Sequence, residues 1–186
     1  MAAPPVAPAP LMQQTLLALV AILVFSFFAL SQHEAKADAE QFAVTAEVEF
    51  AAQRLARQRL ATVLAKAFDE ADVGLVRART SPTGLSAIGP DDGVTEELTE
   101  ADYDDVDDFH GHPAQAASAA WMDESIAFTH AVTVRYVTVT GSGIEASAAP
   151  TLSKEVTVTV AAAPTGFVGT PQIAATLSQI VTPTSN

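Results

Sequence analysis

The stretch "LMQQTLLALVAILVFSFFAL", residues 11–30, decides how the rest of the chain is read. Its twenty residues carry no charge, no glycine and no proline. Wound as an α-helix, that length crosses a hydrocarbon layer of ~30 Å. Gln13, Gln14 and Thr15 weaken the first turn, so the strongest part lies between Leu16 and Leu30. The expected role is a transmembrane anchor or the apolar core of a helix bundle. A cleaved signal peptide competes, with a small-residue cue at Ala35-Lys36-Ala37 but no Lys or Arg before the apolar run. A buried core helix is a third reading, and so uniform a run is long for one. Orientation is left open, because the first basic residue is Lys36. The Pro/Ala-rich lead, residues 1–10, reads as extended or disordered.

Reading outward, the helical signal continues well past the apolar run. The first glycine is Gly74, and no proline falls between Pro10 and Pro82. Residues 31–73 are rich in Ala, Leu, Glu, Gln, Arg and Lys, which all favour helix. Val44, Val48, Ala51, Ala52 and Leu55 share a face, and so do Leu60, Val63, Leu64, Ala67 and Phe68. Asp72-Val73-Gly74 reads as the helix end. The apolar positions do not hold a clean heptad, so the stripe is expected to pack on the chain's own sheet rather than in a coiled coil.

The second half is β. Residues 74–125 read as an irregular connector holding an acidic segment, with a short turn or helix over residues 118–125. Residues 126–186 read as an antiparallel β domain. Ile126, Phe128, His130, Val132, Val134 and Tyr136 alternate with polar residues, as do Val156, Val158 and Val160. "GSGIEASAAPTL" between these strands reads as a flexible turn, and residues 171–181 as a third strand or a short helix. The fold class is therefore α+β: a long N-terminal helix, half for the membrane and half amphipathic, against a small antiparallel sheet.

Composition narrows the function. Nine basic residues face 22 acidic ones, for a formal net charge of -13. No basic surface exists for phosphates, which disfavours nucleic acid and anionic lipid headgroups as partners. The absence of cysteine removes disulfides, thiolate metal sites and a Cys nucleophile. No phosphate-binding glycine loop, G-x-S-x-G or H-E-x-x-H occurs, so no enzyme is expected.

The chemistry-bearing text is "DYDDVDDFHGH", residues 102–112. Asp102, Asp104, Asp105, Asp107 and Asp108 offer hard oxygen donors at spacings that calcium sites use, though not in an EF-hand pattern. The alternative is an acidic turn whose carboxylates accept backbone N–H groups. Tyr103, Val106 and Phe109, spaced by three, are expected to turn inward and the carboxylates outward. His110 and His112 form an H-x-H across a glycine, a weaker metal candidate. His33 reads as interfacial and His130 as a core or edge histidine. No other cofactor is expected.

"YDDVDDFHG" (residues 103–111), followed by "AVTVRYVTV" (residues 131–139) and "KEVTVTV" (residues 154–160), resembles the type IV pilin-like family. The likeness is to minor pilins of the mannose-sensitive haemagglutinin group. It implies a structural subunit of a surface filament or secretion-type pseudopilus. Its partners would be membrane lipid and copies of itself or other pilin-like subunits, met through residues 16–30. The N-terminus is atypical: no basic leader or glycine precedes the apolar run, and residues 16–30 hold no glutamate. The other expectation from the residues is a single-pass, membrane-anchored extracytoplasmic binding module, calcium-dependent through the aspartates.

Overall fold

The computed structural model describes residues 10–75, 77–90, 99–111, 115–121, 124–162 and 174–184. Helix α1 runs Pro10–Leu64 without interruption. It is long and apolar enough, by length and composition, to span a membrane. Five strands follow: β1 Gln115–Trp121, β2 Glu124–Thr140, β3 Gly143–Ala146, β4 Lys154–Ala162 and β5 Ala174–Val181. The fold is α+β.

The chain divides into two compact units, one ending at Ala46 and one beginning at Glu47. In the first, every side chain over residues 13–28 is exposed. The second holds the last turns of α1 and the whole sheet. The sheet order is β1-β2-β4-β5, all neighbours antiparallel, with β3 paired to the far end of β2. The valine alternation sets the register: Val132 lies opposite Val158 and Val134 opposite Val156. One sheet face thus presents Phe128, Val132, Val134, Val156, Val158 and Val160, all buried. Val48, Ala52, Ala56, Leu60 and Val63 of α1 pack on that face. They recur at intervals of three and four, which is the spacing of one helix stripe. Alanines at two of these positions let the helix backbone approach the sheet closely. On the other face polar side chains pair across strands. Thr157 hydrogen-bonds Ser178 across strands at 2.7 Å, and Arg135 pairs with Glu155 at 2.6 Å.

Three expectations are corrected. The helix ends at Leu64 and does not continue to residue 73. Beyond it, Ala67 N–H donates to Asp104 O and Ala67 O accepts from Val106 N–H, both at 3.0 Å. This parallel bridge uses the backbone groups that another helical turn would need, so tertiary pairing overrides local propensity. Asp69 then caps a 3-10 turn, Glu70–Asp72. Second, the connector drawn over residues 74–125 contains β1, where a turn or helix was expected. Its alanine-rich text has little β propensity, and pairing with β2 imposes the strand. Third, the loop after β2 is partly ordered as β3, a hairpin with Thr140 opposite Gly143. Residues 171–181 resolve as strand from Ala174 onward, and residues 171–173 lie outside the described set.

A buried lysine among aspartates as the candidate site

The acidic segment folds as a 3-10 turn, Asp107–Phe109, beside the end of α1. Two clamps hold it, one from α1 and one from just past its end. Arg59 pairs with Glu100 and lies 5.0 Å over the Phe109 ring, and Lys66 Nζ donates to Tyr103 O. Tyr103 and Phe109 meet edge to face at 5.0 Å. Tyr103, Val106 and Phe109 do turn inward, as their spacing implies. The carboxylates do not all turn out: Asp105, Asp107 and Asp108 are buried. The reason is local satisfaction by backbone donors. Asp105 Oδ1 accepts the N–H groups of Asp107 (2.7 Å) and Asp108 (3.2 Å). Asp108 Oδ2 accepts those of Asp104 and Asp105, both at 3.0 Å. Each carboxylate caps the other's stretch of chain, the backbone-capping role the sequence offered as the alternative to calcium.

The second reason is a cation that the sequence reading did not single out. Lys154, the first residue of β4, is fully buried. Its ammonium donates to Phe68 O at 2.7 Å, to Asp69 Oδ2 at 3.2 Å and to Asp107 Oδ1. The rings of Phe68 and Tyr136 flank it, 4.8 and 5.1 Å from Nζ. Asp69 also accepts Ser86 N–H at 3.1 Å, and the Ser86 hydroxyl lies 3.1 Å from Asp69 Oδ2 and 3.2 Å from Asp107 Oδ2. The Tyr136 hydroxyl sits 3.1 Å from Asp69 Oδ2 and 3.0 Å from Ser86 O, donating to one at a time.

Too many carboxylates meet here for all to ionise. Oxygens of Asp69, Asp105 and Asp107 lie within 4.8 Å of one another. Burial, reinforced by Asp107 and Asp108, pushes Asp105 up to about 8, so it holds its proton at neutral pH. Burial also raises Asp107, against the pull of Lys154. For Asp69 burial pulls upward, but the charge and hydrogen bond of Lys154, with those from Ser86, leave it below the usual carboxylate range. Burial and the Asp69 charge raise Tyr136.

The five aspartates named from sequence therefore separate. Asp105 and Asp107 join Asp69 around Lys154, and Asp108 caps the turn behind them. Asp102 is exposed and accepts from Thr99 N–H (3.1 Å) and hydroxyl (2.7 Å). Asp104 is half-buried, with Oδ1 lacking a hydrogen-bond partner. The cation seated among the buried three is the lysine. His110 has a backbone role: its Nδ1 accepts Val134 N–H at 3.0 Å. Gly111, in the left-handed region at φ 68°, then lets its own N–H reach Val132 O at 3.3 Å. His112 lies outside the described residues. His130 is half-buried, and burial and the Arg59 charge lower its pKa, which keeps it neutral. Asp69 and Lys154 were both missed. Lys154 carried a signal, since it stands two residues before Val156 and so falls on the same strand face.

The fold and site define an α+β protein with a membrane-length helix and a buried lysine–carboxylate cluster. No family model, curated protein or solved structure matches the chain.

Proposed function

We propose that the protein is a membrane-anchored, pilin-like structural subunit that assembles with copies of itself or related subunits through residues 16–30. One observation carries the reading. Leu16, Leu17, Leu19, Ile22 and Phe25 point in different directions around α1, and all are exposed, as is Phe27, by 79%. An apolar surface on every side of a helix is unstable in water and needs lipid or other helices. Among the described residues, none of 13–28 is buried or half-buried. The pilin-like text in the acidic segment and in β2 and β4 favours other helices as the cover. With no charged group in residues 16–30, subunit contacts there are packing contacts. The acidic second unit lies on the extracytoplasmic side, where charge -13 overall keeps assembled subunits soluble.

Because the chain has no cysteine, single cysteines at Leu16, Leu17 and Ile22, roughly a third of a turn apart around the helix, test this directly. Oxidative cross-linking in producing cells is expected to give dimers and higher multiples at some of these positions. Monomers at all three, each reactive to a lipid-soluble thiol reagent, would overturn it in favour of a single-pass anchored binding module.

A further inference from the structure

The Lys154 cluster has a consequence independent of any assembly. A lysine amine and a carboxyl condense to an amide when they are held in contact, kept from water and supplied with an acid. All three conditions meet here. Lys154 Nζ touches Asp107 Oδ1, and both side chains are fully buried. The Phe68 and Tyr136 rings close the space around Nζ. Asp105 shares a hydrogen bond with the Asp107 side chain and holds a proton at neutral pH. Asp69 Oδ2 stands 3.2 Å from Nζ as a proton acceptor.

We propose that Lys154 and Asp107 join in an intramolecular isopeptide bond that ties β4 to the Asp107–Phe109 turn, with Asp105 as the acid and Asp69 as the base. The first step moves one proton from Nζ to the Asp107 carboxylate, whose proton affinity burial raises, leaving amine and carboxylic acid. The Nζ lone pair attacks Asp107 Cγ. Asp105 gives its proton to the carbonyl oxygen as charge builds there, and Asp69 takes a proton from the nitrogen. Collapse returns the Asp69 proton to one hydroxyl, which leaves as water, while Asp105 regains its proton from the other. One C–O bond breaks, one C–N bond forms and one water is released. Nothing is oxidised or reduced, and both helper carboxyls end as they began. Fixed contact between the reactants replaces an encounter, which is the main source of rate. Expulsion of the water opposes the reverse step, and the product removes two buried charges. The new bond would close the chain between residues 107 and 154 and narrow the unfolded ensemble.

The full chain, purified in detergent, denatured and digested with trypsin, decides the matter. Cleavage falls after Arg79, Arg135 and Lys154 in this region. The expected product is a branched species: residues 80–135 joined to an uncleaved 136–186, lighter by one water than the two together, with fragmentation placing the link at Lys154–Asp107. A succinimide at Asp92-Gly93 would also lose water but would not join two peptides. Separate linear peptides 136–154 and 155–186 from the wild type would overturn the proposal. So would a link from Lys154 to Asp69. Asp105→Asn keeps the shape and the backbone acceptor but cannot donate the carboxyl proton. It is expected to yield mainly the linear peptides, and a fully branched digest from it would overturn the role of Asp105.

Discussion

Asp105 makes the protein sensitive to pH in a direction opposite to the usual carboxylate. Its folded pKa, about 8, lies above an unfolded value near ~3.9. Its contribution is therefore whole below about pH 4 and is lost as pH rises toward about 8, while the unfolded chain ionises and the folded one does not. Asp69, held low while Lys154 is charged, works the other way in the ion-paired form: its contribution is present above about pH 4 and is lost on further acidification. Tyr136, raised by burial, adds a further loss above about pH 10. Chemical denaturation across pH is expected to give maximal stability near about pH 4–5 and a decline on the order of a few kcal/mol by pH 8. Asp105→Asn is expected to flatten that decline, because its amide accepts the same two N–H groups without titrating. Burial is the leading cause and acts whether Lys154 and Asp107 are paired or joined, so the slope is the informative quantity. An unchanged slope in the variant would show that Asp105 is ionised in the folded state.

The same residues set the expectation for calcium. A calcium cage needs about six to eight oxygen ligands free to turn toward one point. Here the oxygens of Asp69, Asp105 and Asp107 face Lys154 Nζ, Ser86 and backbone N–H groups, and Asp102 faces Thr99. Millimolar calcium is expected to leave the melting temperature unchanged, and so is a chelator. A rise with calcium would mean that the segment rearranges to release those oxygens. The sequence made the aspartates conspicuous but not their partner. Lys154 was legible by strand parity alone, whereas Asp69 is brought in by the Ala67 bridge, a contact between distant parts of the chain that no local pattern encodes.

Among the elements, the division of labour between sheet faces is the strongest claim. Val158 is fully buried against α1, while its neighbour Thr159 is exposed on the other face. Val158→Ala is expected to cost about 2 kcal/mol through lost burial and the cavity left behind. Thr159→Ala is expected to change stability by less than about 0.5 kcal/mol. Equal costs in urea unfolding would contradict the register that pairs Val132 with Val158. β2 and β4 were readable because β-branched residues alternate with polar ones over their length. β1 was not, because Ala116, Ala117, Ala119 and Ala120 carry neither alternation nor bulk, and its strand state is conferred by β2. The helix was readable over its course and misjudged at its end for a related reason. Leu64 to Phe68 have good helix propensity, but Ala67 finds better backbone partners in the acidic segment.

For the molecule as a whole, the division at Glu47 separates two solvents' worth of surface. The first unit exposes apolar side chains along residues 16–30, while the second buries Val132, Val134, Val156, Val158 and Val160 in its core. Only three acidic residues and one basic residue precede Glu47, so a chain starting there would carry a net charge of -11 out of the total -13. Its core would be intact, since Val48, Ala52, Ala56, Leu60 and Val63 all lie beyond the cut. The fragment of residues 47–186 is therefore expected to be soluble without detergent, monomeric by sedimentation and cooperative in thermal unfolding. The full chain is expected to require detergent or to associate. Within the fragment, α1 would be shortened to the turns that the sheet covers. Its folding would thus rest on packing of its apolar stripe against the sheet, the main source of helix stability in folded proteins. A fragment that aggregates or melts without cooperativity would show that the sheet depends on residues before Glu47. The apolar helix would then have to be counted as part of the fold as well as a surface for lipid or neighbouring subunits.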